Sequence, residues 1–202
     1  MPKVYLMGFN HLTIFPTITD AATGYSSTDT DKFTVEGAYS CSPTENRNEF
    51  NIAADDDANW DSDSALESVD LSIVVRQLSL EHLAKLRGIT IPSSGNLNGV
   101  YRETGDETTP TVGLSFSSLR RDGGYRLFKY FSAKLTGYQI THTTKGANGN
   151  NPEPQDVTLT FRCVKRKDGV ALRDMQDVAA NAALTWLDTL NDPTTPPAGG
   201  GV

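Results

Sequence analysis

The run Asp55-Asp56-Asp57-Ala58-Asn59-Trp60-Asp61-Ser62-Asp63 has the composition of a calcium loop. Asp55, Asp57 and Asn59 take its first, third and fifth ligand places. The sixth place needs glycine for a sharp turn and falls on Trp60; the twelfth needs a bidentate glutamate and falls on Leu66. The pattern fails at two required points, so the run reads as an acidic loop, solvated or facing a partner's basic patch, with a looser calcium site as the lesser alternative. The three histidines, His11, His82 and His142, lie near no nucleophile elbow and no HExxH helix. The sequence nominates no nucleophile, no paired-carboxylate site and no phosphate or dinucleotide loop, and neither catalysis nor a cofactor is expected. Cys41 and Cys163 are far apart without CxxC spacing, which gives no disulfide framework and no zinc site. Cys163, on an apolar strand face, reads as a small core residue.

Basic side chains gather in two places. Arg120, Arg121, Arg126, Lys129 and Lys134 flank an aromatic segment, and Arg162, Lys165, Arg166, Lys167 and Arg173 surround a later strand. Between Arg47 and Arg76 stand eight acids and no Lys or Arg, so this stretch carries more than the whole chain's net charge of −7. Such a balance disfavours tight non-specific nucleic-acid binding, which depends on neutralising phosphates. An acidic stretch and basic strands in one chain are complementary, and copies could dock head to tail into rings or tubes.

These residues must be held by strands. Val69, Leu71, Ile73 and Val75 alternate with polar neighbours, as do Val112, Leu114 and Phe116, and Val157, Leu159, Phe161 and Cys163. Period-two alternation predicts half-buried antiparallel strands. Weaker candidates are residues 3–7, 11–15, 32–39 and 48–53. Gly124–Leu135 is apolar on both faces, with Tyr125, Leu127, Phe131 and Ala133 on one and Phe128 and Tyr130 on the other. A strand of that kind is sandwiched between layers or awaits a partner. A short helix is predicted over Leu80–Arg87, with Ser79 as N-cap, an apolar face of Leu80, Leu83, Ala84 and Leu86, and Gly88 as its stop. A second helix is predicted over about Gln176–Leu190 from the spacing of Val178, Ala182, Trp186 and Leu190, followed by a Pro/Gly-rich tail. Thr17–Asp31, Ala54–Ser68, Gly95–Thr111 and Thr144–Gln155 read as long loops, of the kind that bind or order on assembly.

The chain has 202 residues, of which 37% are hydrophobic, enough for one packed core. No apolar run is long enough for a membrane span, and the opening Met1–Gly8 has neither the apolar stretch nor the cleavage site of a secretion leader. The expected fold is mainly β: an antiparallel sandwich or barrel with one packed helix, long loops, a C-terminal helix and a flexible tail. The expected division is a β domain over residues 1–175 and a helix with tail over 176–202.

The order of segments resembles the major tail protein of long, non-contractile-tailed bacteriophages. The resemblance runs through Phe33–Ala38, Asn51–Asp56, Ser68–Ile73, the helix ending Lys85-Leu86-Arg87-Gly88, Pro110–Phe116, Tyr125–Tyr130, Val157–Arg162 and Arg166–Gly169. It covers roughly residues 30 to 175 and is carried by the order and spacing of these segments. The resemblance implies a structural virion protein without catalysis, assembled in the host cytoplasm. Its copies would form rings, usually of six, that stack into a tube around a tape-measure protein, with terminator and distal tail proteins as further partners. Genomic DNA would pass transiently through, without specific binding and without a membrane. On this reading assembly contacts are expected at Asp55, Asp56, Asp57, Trp60 and Asp61, and at Lys145, Asn148 and Asn150. The alternative is a carbohydrate- or receptor-binding β-sandwich presenting Tyr101, Tyr125, Tyr130, Tyr138 and Trp60.

Overall fold

The computed structural model describes residues 5–54, 57–140, 142, 155–180 and 182–191, with the backbone alone at 50–54 and 57–62. In chain order the strands are β1 (Leu6–Phe15), β2 (Ile18–Ala21), β3 (Gly24–Ser27), β4 (Phe33–Thr34), β5 (Ala38–Ala54), β6 (Asp57–Val75), β7 (Thr111–Arg120), β8 (Tyr125–Ile140), β9 (Val157–Val164) and β10 (Arg173–Val178). The helix α1 (Leu80–Arg87) follows β6, and 3-10 turns occupy Asp29–Asp31 and Leu184–Asp188.

One antiparallel sheet runs in the order β4-β1-β7-β8-β9-β6-β5. β10 and β9 lie end to end along the same edge of β8: β10 pairs with Tyr125–Tyr130 and β9 with Ser132–Ile140. The sheet curls until β5 comes beside β1 without hydrogen-bonded pairing. The inward faces make the main core. Val69, Leu71, Ile73 and Val75 of β6 meet Leu159, Phe161 and Cys163 of β9 and Leu114 and Phe116 of β7, all buried as their alternation predicts. Each large apolar side chain removed from water here contributes about 1.5–3 kcal/mol.

α1 lies where expected. Ser79 Oγ accepts from the His82 N–H at 3.1 Å, and Gly88 closes the helix in the left-handed region at φ 72°. Leu83, Ala84 and Leu86 are buried, but Leu80 is exposed: in the first turn it lies off the packed side.

Four expectations are corrected. Residues 176–190 are not an α-helix. Their first part, Gln176–Val178, pairs as the end of β10 along β8, where Asp177 and Val178 have low helix propensity, and Leu184–Asp188 forms a 3-10 turn. The Ala54–Ser68 acidic stretch is strand from Asp57 onward, not loop. Thr17–Asp31 contains the β2–β3 hairpin rather than irregular chain. In β8 an extra residue separates the pairs Val112↔Ala133 and Leu114↔Tyr130. This bulge turns Ala133 into the main core beside Tyr130 instead of leaving it with Phe131.

The second aromatic face of β8 is covered from within the chain. Phe131 packs with Phe15 and Leu190, bordered by Ile18, Tyr25 and Ala171. Ser115 Oγ donates to the Leu187 carbonyl at 2.8 Å, and Tyr25 Oη to the Phe131 carbonyl at 2.8 Å. Arg166, nearly fully buried and ion-paired with Asp168, stacks over Tyr25 and Phe131.

Candidate assembly surfaces

β5 and β6 form a hairpin much longer than the sheet that carries it. Its inner part, Ala38–Asn46 against Ser68–Val75, is backed by β9, whose pairing with β6 ends at Ser68↔Val164. Beyond that point, among the described residues, Arg47–Ala54 and Asp57–Leu66 pair only with each other. At about 3.3 Å per residue this ribbon projects roughly 25 Å. A two-stranded ribbon is marginal in water; Leu66 packs against the main core at its root, and among the described residues both of its outer edges leave backbone donors and acceptors unpaired.

The root of the ribbon is pinned by side chains. Asn46 Nδ2 donates to Ser68 Oγ at 3.1 Å and to Asp70 Oδ2 at 2.8 Å. Glu45 accepts from Arg47 and from Arg173 of β10. These two guanidinium hydrogen bonds, Arg47's first, hold its carboxyl below the ordinary value of 4.5. Glu67 lies 3.9 Å from Arg162.

A second surface is the seam between β1 and β5, a groove of about 320 Å³ floored by Phe9, Cys41, Phe116 and Phe128. Leu6 and Tyr39 are exposed at its mouth. The third is a cleft of about 550 Å³ at the end of the sheet where Val164 lies. Pro16, Ile18, Pro110 and Val164 form its apolar walls, and Lys134, Lys165 and Lys167 its basic rim.

The residues singled out from sequence fall into two groups. Asp57, Trp60 and Asp61 lie on β6 in the ribbon. Asp55, Asp56, Lys145, Asn148 and Asn150 lie outside the described residues. Of the tyrosines considered for ligand binding, Tyr130 is buried, held inward by the β8 alternation, so it offers no platform; Tyr101, Tyr125 and Tyr138 are half-buried. His11 takes φ 58° at a bulge in β1 and shares a hydrogen bond with Ser117. His82 stacks on Phe33, and burial lowers its pKa. His142 meets Gln155. The histidines sit on separate elements and share no site. Arg126 forms a two-pronged ion pair with Asp177, which lowers the Asp177 pKa, so this part of the basic cluster is already satisfied by β10. Among the described residues no group of three metal-ligating side chains occurs, and no helix is long and apolar enough to cross a membrane. Sequence reasoning missed the lysine cleft, whose walls come from four separate segments. The only signal was the closeness of Lys165 and Lys167 in the chain.

No protein-family description matches the sequence, and no curated protein does. Among solved structures, one similar chain belongs to the baseplate of the anti-feeding prophage, determined by cryo-electron microscopy with 6-fold symmetrisation. It shares 11% identity, the alignment covers 90% of this chain and 99% of that one, and the TM-score is 0.37. A likeness that loose fixes neither the assembly nor the role of this chain.

Proposed function

We propose that this chain is a non-enzymatic structural subunit that assembles with copies of itself, and that the assembly is a phage tail tube. The ribbon Arg47–Ala54/Asp57–Leu66 carries the reading. Past Leu66, which packs against the main core at its root, no further strand pairs with it among the described residues, and a partner that packs on it turns a marginal element into a stable one. The exposed seam between β1 and β5 adds unpaired strand edges, which a neighbouring copy can complete. The segment order supports the tube in particular, with rings of six, a tape-measure protein inside and a lumen through which DNA passes. A net charge of −7 favours a surface past which phosphates slide.

The test compares the full chain with a variant in which residues 48–65 are replaced by Asn-Gly. Sedimentation and negative-stain microscopy across a concentration series are expected to show rings or tubes for the full chain. The shortened variant should stay a folded monomer with an unchanged thermal transition. A full chain that remains monomeric at every concentration, or a shortened chain that assembles equally well, overturns the proposal.

A further inference from the structure

We infer that the lysine-rimmed cleft is the seat for the acidic ribbon of a second copy; this rests on the self-assembly reading above and names its contact. The cleft and the ribbon match in two respects. Its lining sets apolar side chains (Pro16, Ile18, Pro110, Val164) and small hydroxyl residues beside three lysines (Lys134, Lys165, Lys167). Asp20, the one acid in the lining, is engaged by the Lys167 N–H at 2.8 Å. None of the three lysines has an ion-pair partner among the described residues. On the ribbon, the register sets Phe50 opposite Asp63 and Ile52 opposite Asp61. Residues directly opposite share a face of a sheet, so one face of the ribbon carries an apolar pair beside an acidic pair. That is the complement of apolar walls with a basic rim.

The ribbon does not serve its own cleft. Val164 lines the cleft and is the cross-strand partner of Ser68, where the ribbon leaves the sheet. Asp63 and Asp57, opposite Phe50 and Ala54, therefore lie about 15 and 25 Å beyond that root along the strand, directed away from the body. A neighbour in the same orientation presents its own cleft to the ribbon. The contact joins two different surfaces, so it is heterologous and propagates into a closed ring or an open helix.

The experiment uses reciprocal charge reversal in the full chain. One variant carries Lys134→Glu, Lys165→Glu and Lys167→Glu; the other carries Asp57→Lys, Asp61→Lys and Asp63→Lys. Thermal melts confirm that each is folded. Each alone places like charges across the contact, and its half-assembly concentration should rise at least about tenfold above wild type. Mixed one to one, the acidic ribbon of one meets the basic cleft of the other and the reverse, so mixed particles of alternating copies should form. Carbodiimide cross-linking of the wild type, with one isotope-labelled copy, should join these lysines to ribbon acids between chains. Wild type that assembles while the variants match it, or folded variants whose mixture fails to assemble, overturns this inference alone. Wild type that stays monomeric and yields no such cross-link overturns both it and the reading it rests on.

Discussion

Arg173 donates to Glu45 across two strands that share no backbone pairing: β10 hydrogen-bonds to β8, and β5 to β6. The two residues are 128 apart in sequence, and their ion pair ties the base of the projecting ribbon to the far part of the curled sheet. Arg47, the first ribbon residue, shares the same carboxylate. Glu45 thus fixes where the rigid body ends and the ribbon begins.

The first prediction concerns the pH dependence of that tie. The Glu45 carboxyl is held below 4.5 by Arg47 and then by Arg173. A carboxylate with a depressed folded-state pKa contributes stability that is full above its unfolded value and lost as pH falls through the folded one. Glu45→Gln is therefore expected to melt below wild type at neutral pH, with the gap narrowing as the pH is lowered to about 3. Thermal melts across that range measure it, and a gap independent of pH would remove the electrostatic account.

A second prediction concerns the layer outside β7 and β8. A Cβ on Gly113 would lie 1.9 Å from Leu190 Cδ1 and 3.3 Å from Tyr25 Oη. Leu190 is fully buried beside Phe15 and Phe131, so it has little room to retreat. Gly113→Ala is expected to cost about 1–3 kcal/mol by overpacking, and Leu190→Ala about 2–5 kcal/mol by leaving a cavity. The double variant should cost less than the sum, because the new methyl enters the vacated space. Denaturant titration of the three proteins tests this; strict additivity would mean that the two positions do not meet.

How much of this was legible in the sequence depends on which force placed each residue. Val69–Val75 and Val157–Cys163 are flanked by paired strands and bury one face, so burial enforces the alternation that a reader sees. Ser79 and Gly88 act within one turn of α1, and the signals for it are local. The ribbon was misread because Asp, Asn and Ser have low strand propensity, and backbone pairing across the hairpin holds them extended regardless. The C-terminal segment was misread for a related reason: Val178 is held opposite Tyr125 by β8, 53 residues away, and nothing in the spacing of the alanines encodes that neighbour. The bulge that sends Tyr130 and Ala133 to the same core depends on the register of β7, which one strand's sequence does not contain. The lysine cleft was invisible because its rim joins Lys134 to Lys165 and Lys167 only after β8 and β9 pair.

Thiol chemistry gives a third prediction. Burial pushes the Cys41 thiol up to about 12 and raises that of Cys163 still further. Only the thiolate attacks disulfide reagents, and at pH 8 about one Cys41 in ten thousand is ionised on that footing. Native protein is expected to react with a chromogenic disulfide far more slowly than a free thiol, and both cysteines together once guanidinium unfolds the chain. Rapid stoichiometric labelling of the native chain would show that one of them is open to solvent as thiolate.

The last prediction divides a single strand. From Ser68 to Val75, β6 is hydrogen-bonded on both edges, to β5 and β9; from Asp57 to Leu66 it is bonded to β5 alone. Amide exchange proceeds through local opening, and a two-stranded ribbon paired only to itself opens at little cost while an interior strand opens only near the global unfolding free energy. In the monomer, amides of Asp57–Leu66 and of Arg47–Ala54 are expected to exchange within seconds to minutes, and the amides of Val69–Val75, bonded in turn to β5 and β9, orders of magnitude more slowly. In the assembled form the ribbon amides should become protected to the level of the interior strand, because a neighbour then covers them. Hydrogen exchange read by mass spectrometry in both states resolves the two halves. Uniform protection along β6 in the monomer would mean that the ribbon is stable unaided, and its need for a partner would fall away.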